Sequence, residues 1–130
     1  MPAKTIKVAK RGETAKPGRL KRRAQFLEAA KSGRKAAVGG VVLQALSRHD
    51  DQPVRLGFTV TKKIGNAVVR NRSRRRLKEA VRLVLSDPSW REQPLAGVDL
   101  VLIGRDSTLK RNFIALQSDI RRALERTGVS

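Results

Sequence analysis

The stretch that most constrains this chain is residues 62–85, KKIGNAVVRNRSRRRLKEAVRLVL. From Lys62 through Lys78 it carries eight basic residues and no acidic one. A Gly-Asn pair marks a turn, and a helix is predicted from Asn66 or Ala67 to Leu85, stopped by Ser86-Asp87-Pro88. At about 100° per residue, Leu77, Ala80, Val81 and Val84 share one face, which must pack on other apolar residues. Projected back one heptad, that face carries Arg70, with Arg74 just to one side. Arg72, Arg75 and Arg76 fan over the remaining surface. Cations thus surround the first half of the helix, so it is either wrapped by a polyanion or set at the edge of the core over a groove. The helix N-terminus adds free N–H groups and positive dipole character, and Lys62, Lys63, Gly65 and Asn66 stand just before it.

The other segments supply a scaffold. Residues 1–18 are Lys-, Gly-, Ala- and Thr-rich without periodicity and end at Pro17-Gly18, which predicts a disordered basic arm ahead of a single domain, residues 19–130. A first helix is predicted from 19 or 21 to 31, with Leu20, Phe26, Leu27 and Ala30 as its apolar positions. Residues 36–46 read as strand, interrupted at Gly39-Gly40. In residues 54–61, VRLGFTVT, Val54, Leu56, Phe58 and Val60 alternate with Arg55, Gly57, Thr59 and Thr61, and a polar turn before them suggests an antiparallel hairpin. Residues 98–104, VDLVLIG, form a mostly apolar run suited to an interior strand. A last helix is predicted from the N-cap residue Asn112 to Gly128, with Phe113, Leu116, Ile120, Ala123 and Leu124 as its stripe. The order is helix, three strands, helix, strand, helix: an α+β two-layer sandwich.

Charge and composition narrow the function. A net charge of +19 argues for a polyanionic partner, nucleic acid or an anionic membrane surface, and no small-molecule substrate is expected. The apolar runs are too short to cross a membrane and no h-region follows the N-terminus. The chain has no cysteine, so disulfides, thiolate metal sites and thiol nucleophiles are excluded together. These features fit a cytoplasmic protein. His49 stands alone in a turn, Asp50-Asp51 reads as a polar cap, and Asp87, Asp99, Asp106 and Asp119 are scattered without a two-metal pattern. No catalytic residue and no metal ligand is assigned. Aromatic platforms for base stacking are few: Phe26, Phe58, Phe113 and Trp90. Phe113 fits the core by its spacing, whereas Phe26 and Phe58 fit either core or groove.

The segment GNAVVRNRSRRRLKEA resembles the signature helix of the bacterial ribonuclease P protein component, in which Arg-Asn-Arg follows a Lys-Lys-x-Gly-x-Ala lead-in. RLKRRAQFLEAAKSGR is similar to that family's first helix, RLGFTVTKK to the strand before the signature, and VDLVLIGR to its last strand. The resemblance spans residues 19–128. It implies the order α-β-β-β-α-β-α, a four-stranded sheet and a left-handed β-α-β crossover, where general rules favour right-handed. It also implies a protein subunit of an endoribonuclease whose active site belongs to a partner RNA. Such a subunit binds the catalytic RNA and the single-stranded 5′ leader of precursor tRNA. It promotes Mg²⁺-dependent removal of the leader, with the Mg²⁺ held mainly by the RNA, and is inactive alone.

Carried over residue by residue, the RNA contacts fall on Lys62, Lys63, Asn66, Arg70, Asn71, Arg72, Arg74, Arg75 and Arg76. The leader cleft falls on Phe26, Phe58 and Arg70. Three positions depart from the family pattern: Ala30 where many relatives have a second aromatic, Gln44 where some have tyrosine, and Ser73 where an aliphatic residue is usual. The first two thin the stacking surface of the cleft and leave backbone binding intact. A non-catalytic structural RNA-binding protein, such as a ribosomal protein, is the main alternative, and a nucleoid-type DNA binder is a third.

Overall fold

A strand with apolar residues on both faces needs cover on both, and the position of residues 98–104 follows from that requirement. The computed structural model describes residues 17–90 and 95–129. Its elements are β1 (Gly18–Arg19), α1 (Arg23–Ser32), β2 (Arg34–Val38), β3 (Val41–Ser47), β4 (Arg55–Thr59), a 3-10 turn (Lys62–Ile64), α2 (Ala67–Leu85), β5 (Val98–Gly104) and α3 (Phe113–Arg126). They build one sheet in the order β1-β4-β5-β3-β2. β5 lies at its centre, parallel to β4 and antiparallel to β3.

Two layers of helix cover this sheet, one on each face. Leu77, Ala80, Val81 and Val84 of α2 join Leu116, Ile120, Ala123 and Leu124 of α3 over Leu43, Leu100 and Leu102. On the other face Ala29 of α1, with Leu20 and the half-buried Phe26, packs around Val101. The expected two-layer sandwich is therefore corrected: α1 stands opposite α2 and α3, because β5 presents apolar residues both ways, Leu100 and Leu102 toward α2 and α3 and Val101 toward α1.

The four-stranded expectation is also corrected. The sheet has a fifth, two-residue strand, β1, parallel to β4. The Gly18 amide donates to the Val54 carbonyl at 2.8 Å and the Leu20 amide to the Leu56 carbonyl at 3.0 Å. Two residues carry no alternation, so nothing in the sequence marks them as strand. Their pairing takes residues 19–20 out of the first helix, which starts at Arg23. The Gln25 side-chain oxygen caps that start by accepting from the Lys21 and Arg22 amides at 2.9 and 3.0 Å. Of the basic arm assigned to 1–18, residues 1–16 lie outside the described residues.

The hairpin expected before residues 54–61 lies elsewhere. β2 and β3 form it, with Val38 opposite Val41 across Gly39-Gly40, while β5 separates β3 from β4. Gly39 has φ +52°, and a Cβ there would sit 2.2 Å from the Asp119 carboxylate, so only glycine fits. The predicted bounds of α2 and the Asn112 cap of α3 hold: Asn66 Oδ1 accepts from the Val69 amide at 3.0 Å and Asn112 Oδ1 from the Ile114 and Ala115 amides at 2.9 and 3.1 Å. At the other end of the sheet the buried Asp99 carboxylate accepts from Arg48 Nη1 at 2.7 Å and from Arg55 Nε and Nη2 at 2.7 and 2.8 Å. That cluster secures the β3–β4 loop. His49, in this loop, is exposed and adopts φ 59°.

Candidate nucleic-acid interface

Strand register decides which cations meet. Thr59 of β4 pairs with Ile103, and Gly104 of β5 pairs with Val41. The end of β4, the end of β5 and the β2–β3 turn therefore share one edge of the domain. The chain leaves that edge twice into a helix, once through Lys62 and Lys63 into α2 and once through residues 105–112 into α3.

The cations assigned to RNA contact fall into three groups. Lys62, Lys63, Arg72 and Arg75 are exposed, and no side-chain bond or ion pair ties them to any described residue. Arg70 and Arg74 are half-buried; Arg70 Nη1 donates to the Gly65 carbonyl at 3.3 Å and Arg74 Nη2 to Asn71 Oδ1 at 2.9 Å. Arg76 is turned inward. Its Nε donates to the Thr108 carbonyl at 3.1 Å, its Nη2 to the Arg111 carbonyl, and its guanidinium lies 5.2 Å from the centre of the Phe113 ring. Asn66 caps the helix and Asn71 is exposed beside Arg74.

Ser73 completes the buried stripe one turn before Leu77. Its hydroxyl donates to the Val69 carbonyl at 3.0 Å, which satisfies the one polar group the departure from an aliphatic residue introduces. The core stripe thus runs through Ser73, and the arginines stay at or outside its border.

Phe26 and Phe58 do not share a surface. A Cβ built on Gly57 would lie 2.6 Å from Phe26 Cε1, so the Phe26 ring rests directly on Gly57 on the α1 face. Phe58, the next residue, points to the α2 face, where it packs against the main core and Lys78 Nζ stands 5.8 Å from its ring centre. The expected cleft of Phe26, Phe58 and Arg70 is revised on this point, since neighbouring residues of a strand face opposite ways. Gln44, 7% exposed, lies on the α1 face opposite Val101, and Ala30 is half-buried on α1.

The buried acid near this edge, Asp119, is neutralised locally. Burial alone would push the Asp119 carboxyl up. The fork from Arg111, at 2.8 and 3.0 Å, and the Gly40 amide at 2.9 Å outweigh it and hold the group below the ordinary carboxylate range. Among the described residues no three His, Asp or Glu side chains converge to hold a metal ion. No helix among them is long and apolar enough to cross a membrane.

Sequence reasoning missed the basic residues of the β5–α3 connection: Arg105 and Lys110, both exposed, and Arg111. A signal was available. Lys110-Arg111 precede the Asn112 cap much as Lys62-Lys63 precede the Asn66 cap.

A family model described as Ribonuclease P matches residues 15–128. A ribonuclease P protein component of Gluconacetobacter diazotrophicus is 63% identical over 111 residues, spanning 85% of this chain and 91% of the relative. Another, from Paramagnetospirillum magneticum, is 48% identical over 118 residues, spanning 88% and 85%. Among solved structures, the Staphylococcus aureus RNase P protein superposes with a TM-score of 0.67 at 25% identity, covering 88% of this chain and 98% of that one. The Thermotoga maritima protein gives 0.66 at 25% identity, covering 83% and 96%.

Proposed function

The chain belongs to the ribonuclease P protein family, the protein component of the tRNA-processing enzyme, and from that premise we propose that it binds the catalytic RNA through the first half of α2. The observation that carries this is the set of exposed cations, Lys62, Lys63, Arg72 and Arg75, around the free N–H end of a long helix. Arg70, Arg74, Asn66 and Asn71 complete the contact surface. Family membership sets aside the ribosomal-protein alternative.

The 5′ leader of precursor tRNA lies, in this proposal, against the α1 face of the sheet. There Gly57 lets the Phe26 ring down onto β4, and small or polar residues, Ala30 and Gln44, stand where a larger stacking surface would otherwise be. Such a surface holds a strand by its backbone and by one aromatic ring rather than by reading a sequence. Phe58 supports Lys78 on the α2 side. We infer a left-handed β4-α2-β5 crossover from the family resemblance, and a cytoplasmic location.

Among the described residues the carboxylates do not gather to hold a resident Mg²⁺. The two most buried, Asp99 and Asp119, are bracketed by arginines. The Mg²⁺ of the reaction is therefore assigned to the RNA, and the protein's part is electrostatic and positional.

Reconstitution tests this. Protein alone is expected to leave precursor tRNA intact, while catalytic RNA plus protein cleaves it faster at low Mg²⁺ than RNA alone. Unchanged RNA-only kinetics on adding the protein would overturn the proposal.

A further inference from the structure

Arg76 stands in the middle of the basic run, and by sequence it belongs with the RNA contacts. Its side chain is committed elsewhere. Two of its donors, Nε and Nη2, meet the carbonyls of Thr108 and Arg111, and the ring of Phe113 lies under the guanidinium. Thr108 is fully buried, and its hydroxyl donates to the Gly40 carbonyl at 2.7 Å. Arg111 is held by Asp119, which also accepts the Gly40 amide. One chain of bonds thus runs from α2 through Arg76 to the β5–α3 connection, and on to α3 and the β2–β3 turn.

We propose that Arg76 is a positioning residue rather than an RNA contact: it locks the basic half of α2 to the β5–α3 connection, so that Arg72 and Lys110 present to RNA as one fixed surface. This rests on the function proposed above. Arg72 lies one turn before Arg76 on the same side of α2, and Lys110 is exposed on the connection that Arg76 holds.

The chemistry suits arginine alone. Two carbonyls from different turns of the connection need two donors in a rigid plane, and a flat cation lies well over an aromatic ring. Lysine keeps the charge but presents a single rotating point. The lock also resists a local strain: unscreened cations on α2 and on the connection repel one another until a polyanion arrives. Asp119 cancels one of them, Arg111, and Arg76 fixes the rest by bonds that do not need RNA.

This separates cleanly from a phosphate contact. A phosphate contact contributes about −0.7 to −0.9 to the slope of log affinity against log salt, and lysine can replace arginine in it. A lock contributes nothing to the slope, and lysine cannot restore it. The experiment measures binding of Arg76→Lys and Arg76→Gln to the catalytic RNA over a range of monovalent salt, beside amide hydrogen exchange in the free proteins. Phe113→Leu serves as a milder variant that keeps the carbonyl bonds, and thermal unfolding confirms that each is folded at the working temperature.

Both Arg76 variants are expected to bind roughly three- to tenfold more weakly through lost pre-organisation, with the wild-type slope, and to exchange faster in residues 105–112. Loss of about one phosphate's slope in Arg76→Gln, with lysine restoring affinity, overturns the proposal in favour of a direct contact. So does unchanged exchange in both variants. Exchange is read without RNA, so a wild-type protein that fails to bind the catalytic RNA rejects the proposed function while the lock is still tested.

Discussion

The charge on α2 sets how steeply catalytic-RNA binding must fall with salt. Four α2-proximal cations are exposed and free of described partners, Lys62, Lys63, Arg72 and Arg75, and two more, Arg70 and Arg74, are half-buried with only neutral hydrogen bonds. Taking each as one neutralised phosphate at −0.7 to −0.9 gives a log–log slope of about −4.2 to −5.4 from these six alone. Between 50 and 200 mM monovalent salt this lowers affinity by roughly 300- to 2,000-fold. Arg72→Ala should make the slope shallower by about 0.7 to 0.9. The structure also names a control. Arg82 lies on the same helix but is paired with Glu79 at 2.6 Å, so Arg82→Ala should leave the slope unchanged. Filter binding or fluorescence anisotropy at constant Mg²⁺ reads all three. A wild-type slope shallower than about −2, or equal effects of Arg72→Ala and Arg82→Ala, would refute the assignment of these cations to the interface.

Two further predictions concern the frame. Asp99 is 2% exposed and accepts from two arginines; Asp99→Ala removes these charge-assisted bonds, but Arg48 keeps Asp50 and two carbonyls as partners and Arg55 can turn to solvent, so the loss should lie near about 2 kcal/mol and lower Tm by roughly 6 to 10 °C. A loss under about 1 kcal/mol by chemical denaturation would contradict that account. Asp119, depressed below its ordinary value of 3.8, contributes stability that is present above that pH and is lost as pH falls through the folded value. Unfolding free energy should therefore decline on acidification below about pH 4, and Asp119→Asn should flatten part of that decline; an unaltered profile in the variant would show that the carboxylate contributes nothing there.

What the sequence disclosed divides along a physical line. Signals carried within one element were legible: the apolar stripe and Asn66 cap of α2, the Asn112 cap of α3, and the buried run of β5 all stand where local periodicity put them. Relations between elements were not. Whether β4 pairs with β3 or with β5 depends on how a mostly apolar strand competes for the centre of the sheet, and no local pattern encodes that competition. The two-residue β1 exists only because its amides find β4. Phe58 shows the limit for the site. Alternation told which residues of β4 share a face with it, but not that the face belongs to α2 rather than α1. Arg76 is the sharper case. In sequence it cannot be told from Arg72 or Arg75, and only the carbonyls of Thr108 and Arg111, thirty residues away in the chain, separate a cation that is free to meet phosphate from one that is already engaged. In a run this dense in charge, composition names the partner, and the fold decides which charges remain free to meet it.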